Sequence, residues 1–334
     1  MIKKYLTYIL TIIIVFSFIN LKAQQLGTIS HFVLEQMTHN PAYSGKFIPM
    51  YGFILNRTQW STIEGHPSTQ LIGATYLSIT ANYFLVDAVI ALSVCYKGFD
   101  NNNNGLGFMI FNEKIGPINN AGTKLNYAYH IPLGESYFSI GLAAHIYQFN
   151  VNTNDISLTD PSDEVFTNLE SKLNADATLG FCFYNNSFDL GISFPNLVAN
   201  KIQWVENNDT IGYFKNKRQV YISSSYRHNI DDEISLKFGL MSSYTDNEPI
   251  QLQVNSVVLI NELFWLGLNF KADMSAGLLL GMTFKSKYKV GYSFDMPLSS
   301  KRQYFSGSHE IYLNIGLFNS RKYEVSIKNH DLRY

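Results

Sequence analysis

The sequence predicts an all-β fold: a transmembrane antiparallel up-and-down β-barrel of about 14 strands, preceded by a short N-terminal periplasmic segment. Three observations lead there. Alternation with period two recurs from end to end, the charges of each alternating segment keep to one face, and short and long connections take turns along the chain. The clearest segment is 287–296. There Tyr288, Val290, Tyr292, Phe294 and Met296 share one face, and Lys287, Lys289, Gly291, Ser293 and Asp295 share the other. Period two with one apolar face is a half-buried strand. Confinement of charge to the second face suits a bilayer, where Lys or Arg facing lipid at mid-depth costs roughly 2–4 kcal/mol.

The elements follow in order. Met1-Ile2-Lys3-Lys4, an apolar run from Tyr5 to Ile19, and Leu21-Lys22-Ala23 read as a secretory signal over 1–23, cleaved after Ala23. The rival is an N-terminal membrane anchor, disfavoured because polar Gln24-Gln25 follows without a basic cluster. Beyond it no apolar run reaches helical spanning length. A mean hydropathy of −0.04 agrees, because lipid-facing and lumen-facing residues cancel along each strand. Residues 24–49 read as a periplasmic segment and 50–318 as the barrel, with no linker that would divide it.

Crossings are expected near 50–60, once within 67–97, then at 104–114, 121–132, 136–150, 174–184, 187–194, 216–229, 232–244, 250–260, 263–271, 276–285, 287–297 and 308–318. Short breaks at 132–135, 185–187, 229–231, 261–262 and 285–286 alternate with longer connections at 151–173, 195–216, 245–249, 272–275 and 298–307. This is the asymmetry of tight periplasmic turns and longer external loops. The stretch 67–97 breaks the parity, since it holds two strand-like pieces, 68–79 and 86–97. Either one piece lies outside the barrel or there are sixteen strands. The last strand ends on Phe318, and the polar tail 319–334 is expected in the periplasm unless Tyr323–Ile327 adds a strand.

Chemistry is sparse. Charge is nearly balanced and no Lys/Arg block points to nucleic acid. Cys95 and Cys182 both fall on polar faces, which allows one bridge across a lumen or two unpaired thiols. No histidine pair has metal-ligand spacing, and neither a nucleophile elbow nor a phosphate loop occurs, so no catalytic, cofactor or metal site is assigned. His130 and His145 read as members of luminal hydrogen-bond networks. His309 and Glu310 are strand neighbours that point to opposite faces, which argues against a shared acid/base site. The acidic loop 151–173 carries Asp155, Asp160, Asp163, Glu164 and Glu170 without EF-hand spacing. Arg57, Lys124, Lys237, Lys271, Lys287, Lys289, Asp176 and Asp295 are expected in the lumen, as an ion-pair mesh or as channel lining. Asn40-Pro41-Ala42-Tyr43 is either a turn leading into the first strand or a periplasmic plug or docking segment.

Residues 35–45, Glu-Gln-Met-Thr-His-Asn-Pro-Ala-Tyr-Ser-Gly, resemble the N-terminal signature of the PorP/SprF family. Arg57-Thr58-Gln59-Trp60, Gly65-His66-Pro67-Ser68-Thr69, Leu190–Leu197 and Gly307-Ser308-His309-Glu310-Ile311 continue the resemblance in order across nearly the whole chain. The departure is 71–103, longer than the family pattern and ending in Asn101–Asn104. The resemblance implies a multi-pass protein of the bacterial outer membrane that works, without catalysis or cofactor, in type IX secretion and gliding. Its partners would be outer-membrane lipid, a secreted adhesin or other cargo held through its C-terminal domain, and periplasmic secretion components. Asn40, Pro41, Tyr43, Arg57, Trp60, Pro195, His309 and Glu310 become the candidate partner-binding residues. A pore for small solutes is the alternative function.

Overall fold

Successive side chains on a strand point to opposite faces, and in the computed structural model the alternating segments form a closed antiparallel barrel of fourteen strands. Residues 29–46, 50–77, 103–152, 171–199, 201–206, 209–285, 287–298 and 306–316 are described. The strands are β1 (Met50–Thr58), β2 (Ser68–Leu77), β3 (Asn104–Ile115), β4 (Ile118–Leu133), β5 (Ser136–Val151), β6 (Lys172–Tyr184), β7 (Phe188–Phe194), β8 (Lys201–Glu206), β9 (Asp209–Lys215), β10 (Gln219–Asn229), β11 (Ile234–Thr245), β12 (Gln251–Ile260), β13 (Phe264–Lys271), β14 (Ser275–Phe284), β15 (Tyr288–Pro297) and β16 (Ser308–Gly316). Each barrel strand pairs with its neighbours in sequence, except that β7 pairs directly with β10 and β8–β9 form a separate two-stranded sheet. β1 pairs with β16, from Tyr51 opposite Gly316 to Thr58 opposite His309, so the barrel has no free edge.

The expected faces are realised. Leu266 and Leu268 on β13 are 57% and 61% exposed, while Asn269 and Lys271 on the alternate face are 1% and 3% exposed. On β15, Tyr288, Val290 and Met296 face out and Gly291, Ser293 and Asp295 face in. Among the described residues no helix is long and apolar enough to cross a membrane. In the 67–97 stretch, 68–77 supplies the single crossing; the second piece, 86–97, lies outside the described residues, as do the signal 1–23, the tail 319–334 and Cys95.

Two expectations need correction. Loop parity is not strict: the β13–β14 link 272–274 is no longer than the β14–β15 link 285–287 at the other end, and β3–β4 turn over only 116–117. Asp273 and Gly116 each adopt φ 55°, and such left-handed residues close a tight hairpin whichever side of the membrane it faces. Lys287 is not luminal. It sits in that link before β15 and is exposed.

A third correction concerns the N-terminal segment. The described part of 24–49, residues 29–46, lies inside the barrel rather than in the periplasm. Phe32, Val33 and Met37 pack in one apolar cluster with Phe53, Leu55, Val257, Trp265 and Tyr312 of the inner wall. Burying apolar surface at roughly 25 cal/mol per Å² favours this over leaving those side chains in water.

A plugged lumen as the candidate functional site

The segment crosses the lumen as loop and two short 3-10 turns, Gln36–Thr38 and Pro41–Tyr43. Asn40 caps the second turn: its Oδ1 accepts the Ala42 N–H at 2.9 Å, and Pro41 occupies the first turn position, where its missing N–H costs nothing. The Asn40 Nδ2 then donates outward to the carbonyls of Phe181 on β6 (3.1 Å) and Ile192 on β7 (3.3 Å). The Asn-Pro-Ala-Tyr motif is therefore a turn, as one reading held, but it is docked on the inner wall.

A buried ionic cluster holds the start of the segment. Glu310 on β16 accepts the main-chain N–H groups of Ser30 (2.7 Å) and His31 (2.9 Å). His31 Nδ1 also lies 2.7 Å from its Oε1; a carboxylate accepts, so Nδ1 carries the hydrogen. Arg57 on β1 donates to Glu310 (3.1 Å), to Asp295 on β15 (2.9 Å) and to the Ser30 hydroxyl (2.8 Å). Ser30 in turn donates to Asp295 at 2.6 Å. Asn269 Nδ2 (2.9 Å) and Lys271 Nζ (3.4 Å) complete the shell of Asp295. Two carboxylates thus face two cations with all four side chains nearly closed to solvent. Charges so desolvated persist only when paired and hydrogen-bonded on every side.

A second cluster holds the other end. Lys46 Nζ lies 2.8 Å from Asp189 on β7, which also accepts from the Tyr43 hydroxyl (2.9 Å) and from Ser225. The Lys46 ammonium stands over the rings of Tyr43 (4.7 Å) and Tyr184 (5.1 Å), a favourable placement for a cation. Burial raises the Tyr43 phenol pKa well above its ordinary value. Cys182 is buried and packed with Ala42, Tyr43 and Tyr184, with no disulfide partner among the described residues.

Between the clusters, Glu35 is fully buried and accepts from the hydroxyls of Tyr51 (3.0 Å) and Tyr312 (3.3 Å). Burial pushes its carboxyl up to about 8, against the smaller opposing effects of those hydroxyls and Lys289. Burial, with help from Lys124, holds the His39 imidazole down to about 3.

Of the residues expected to bind partners, Asn40, Pro41, Tyr43, Arg57 and Glu310 converge inside the barrel and are buried. The other three do not join them. Trp60, at φ 53°, lies in the β1–β2 link, where its N–H reaches the Ser308 hydroxyl at 3.4 Å. Pro195 follows β7 and is half-buried. His309 points outward, with Nδ1 2.7 Å from the Tyr292 hydroxyl, opposite in face to Glu310. His130 and His145 do enter luminal networks, His130 within 2.8 Å of the Ser44 carbonyl and His145 within 2.7 Å of the Thr178 hydroxyl. Sequence reasoning missed Ser30, His31, Glu35, Asp189 and Asn269. The available signal was the run of inward-facing apolar residues Phe53, Leu55, Trp265 and Val257, which have no reason to line a wet channel. Among the described residues no group of His, Cys, Asp and Glu is arranged to hold a metal; the acidic loop residues Asp155 to Glu170 lie outside them.

The model of the PorP/SprF family, described as a type IX secretion system membrane protein, matches residues 21–315. The chain belongs to the PorP/SprF family. With the closed barrel, that membership makes it an outer-membrane component of type IX secretion. None of the curated proteins matches it. Solved structures similar to this PorP/SprF barrel include the outer membrane protein Omp33 of Acinetobacter baumannii, at 8% identity and TM-score 0.44 over 81% of this chain and 100% of that one. The CymD monoaromatic hydrocarbon channel follows at 10% identity and TM-score 0.43 over 86% and 92%. The KdgM porin matches at 10% identity and TM-score 0.37 over 80% and 99%.

Proposed function

We propose that this protein is a non-enzymatic anchor of type IX secretion, which holds or helps export a surface adhesin or other secreted protein by its C-terminal domain and, where cells glide, serves motility. The observation that carries this reading is the filled lumen. A barrel whose interior is occupied by its own residues 29–46, fixed at both ends by buried charge, is built as a rigid frame. Bacterial barrels keep both chain ends in the periplasm. In that orientation the connections 151–173, 195–216 and 298–307 would lie at the cell surface, where they would hold cargo. The turns at the opposite end would meet periplasmic secretion components. Trp60, Pro195 and His309, the candidates outside the lumen, are half-buried, and we propose them as partner contacts at the barrel's outer side.

Affinity capture from detergent-solubilised outer membrane tests the proposal. Recovery of a surface adhesin or of secretion components is expected, and recovery of neither would overturn it. The solute-pore reading requires an open lumen, and the docked segment counts against it; a large steady conductance in a planar bilayer would reinstate it.

A further inference from the structure

The inner wall grips the N-terminal segment by its main chain as well as by its side chains. Gln253 on β12 donates to the Ile29 carbonyl (3.0 Å), Lys237 on β11 to Val33 (2.8 Å), Ser193 on β7 to His39 (2.7 Å) and Ser139 on β5 to Ala42 (2.8 Å). His130 on β4 reaches the Ser44 carbonyl, Thr75 on β2 accepts the Gly45 N–H at 2.6 Å, and Glu310 takes two further N–H groups. Seven strands thus address atoms that every polypeptide carries. The wall is also recessed to admit a backbone: a Cβ on Gly141 would overlap the main chain of Ala42, and one on Gly105 the carbonyl of Ser44. Close approach of a second backbone is a recurrent reason for glycine within a strand. Yet the segment joins no ladder of the barrel; it is an occupant and not a stave.

We propose that the lumen is a peptide-binding site, that residues 29–46 are its resident ligand, and that a segment of a second polypeptide can take their place. The anchoring role bears on this only in naming the incoming chain as the secreted protein. The ligand class is a turn-containing peptide with a small or hydroxylated residue where Ser30 meets Asp295, an apolar stretch matching Phe32 and Val33, and an Asn-Pro turn followed by an aromatic hydroxyl on Asp189.

The test uses full-length protein in detergent and a fluorescein-labelled synthetic peptide of residues 29–46, read by anisotropy. The N40A/Y43F protein loses bonds of the resident segment and leaves the wall intact. It should bind the peptide at least tenfold more tightly than the unaltered protein. In V33C/G239C a Cβ at 239 would lie 3.2 Å from that of residue 33, close to disulfide spacing, so oxidation locks the resident in place. The oxidised protein should show no saturable binding. If N40A/Y43F does not assemble, Ser30→Ala, which removes a hydroxyl shared by Arg57 and Asp295, replaces it. Absence of saturable binding to a folded weakened variant, or equal binding to the locked protein, overturns the proposal. No secreted protein is present, so either result leaves the anchoring reading to its own capture experiment.

Discussion

Arg57 on the first strand and Glu310 on the last stand directly opposite each other across the seam that closes the barrel, 3.1 Å apart. The same pair fixes the internal segment, so one contact serves closure and plugging together. Arg57→Met would leave two buried carboxylates facing Lys271 alone. A loss of about 3–5 kcal/mol is expected from such an uncompensated buried charge, seen as a lower urea midpoint for loss of the folded, heat-modifiable band. Lys217→Ala, which breaks a rim pair with Glu248 whose lysine is 48% exposed, should shift the midpoint by no more than about 1 kcal/mol. Equal shifts for both would contradict the assignment.

Docking of the segment should depend on pH with opposite signs at the two ends of the range. Glu35 is raised to about 8, so the docked state holds its proton more firmly than the released state, and docking weakens as pH rises from the ordinary carboxylate value toward 8. His39 is lowered to about 3, so the released state takes up the proton first, and docking weakens as pH falls below the ordinary imidazole value toward 3. Between those ordinary values, roughly pH 4.5 to 6.5, the two effects largely cancel. The frequency of channel openings in a planar bilayer should therefore rise on both sides of this plateau. Glu35→Gln should abolish the alkaline rise and let the acid rise begin near the ordinary imidazole value, and His39→Phe should abolish the acid rise and let the alkaline rise begin near the ordinary carboxylate value; an unchanged profile in Glu35→Gln would refute the assignment to that carboxyl.

At mildly acidic pH the unaltered protein should pass little current. Asp295→Ala removes the acceptor shared by Ser30, Arg57, Asn269 and Lys271. Its openings should be more frequent and longer than those of the parent. Silence in a variant shown to be folded would mean that the apolar cluster around Phe32 holds the segment without the charges.

The outer surface offers a separate check. Leu268 is 61% exposed and faces lipid, so Leu268→Lys should cost about 2–4 kcal/mol in bilayers at mid-depth. In detergent, where the ammonium finds water more easily, the penalty should shrink. A similar cost in both media would place Leu268 away from lipid.

The wall was legible in the sequence because membrane and lumen impose opposite polarities on alternate residues; segments such as 264–271 repeat that contrast several times, and noise averages out. The plug was not legible for the converse reason. Residues 29–46 have no periodicity, and the partners of Ser30 and His31 lie far along the chain on β15 and β16. Glu310 illustrates the limit: its face could be read from alternation, but the main-chain atoms it accepts from could not. Motif residues such as Asn40 and Arg57 stand out in the sequence, and in the fold they are buried in bonds between the N-terminal segment and the inner wall.

The bond from Ser30 to Glu310 links positions 280 residues apart in sequence, one near the beginning of the chain and the other on its last barrel strand. It has no counterpart until β16 has arrived and met β1. An assembling chain therefore carries the start of its N-terminal segment without this anchor until the last strand arrives, and closing a loop of such length opposes that contact entropically until then. The latch is in this sense a record of completed construction: a barrel missing its final strand would be unlatched at Ser30 as well as unclosed, and distinguishable by both defects at once.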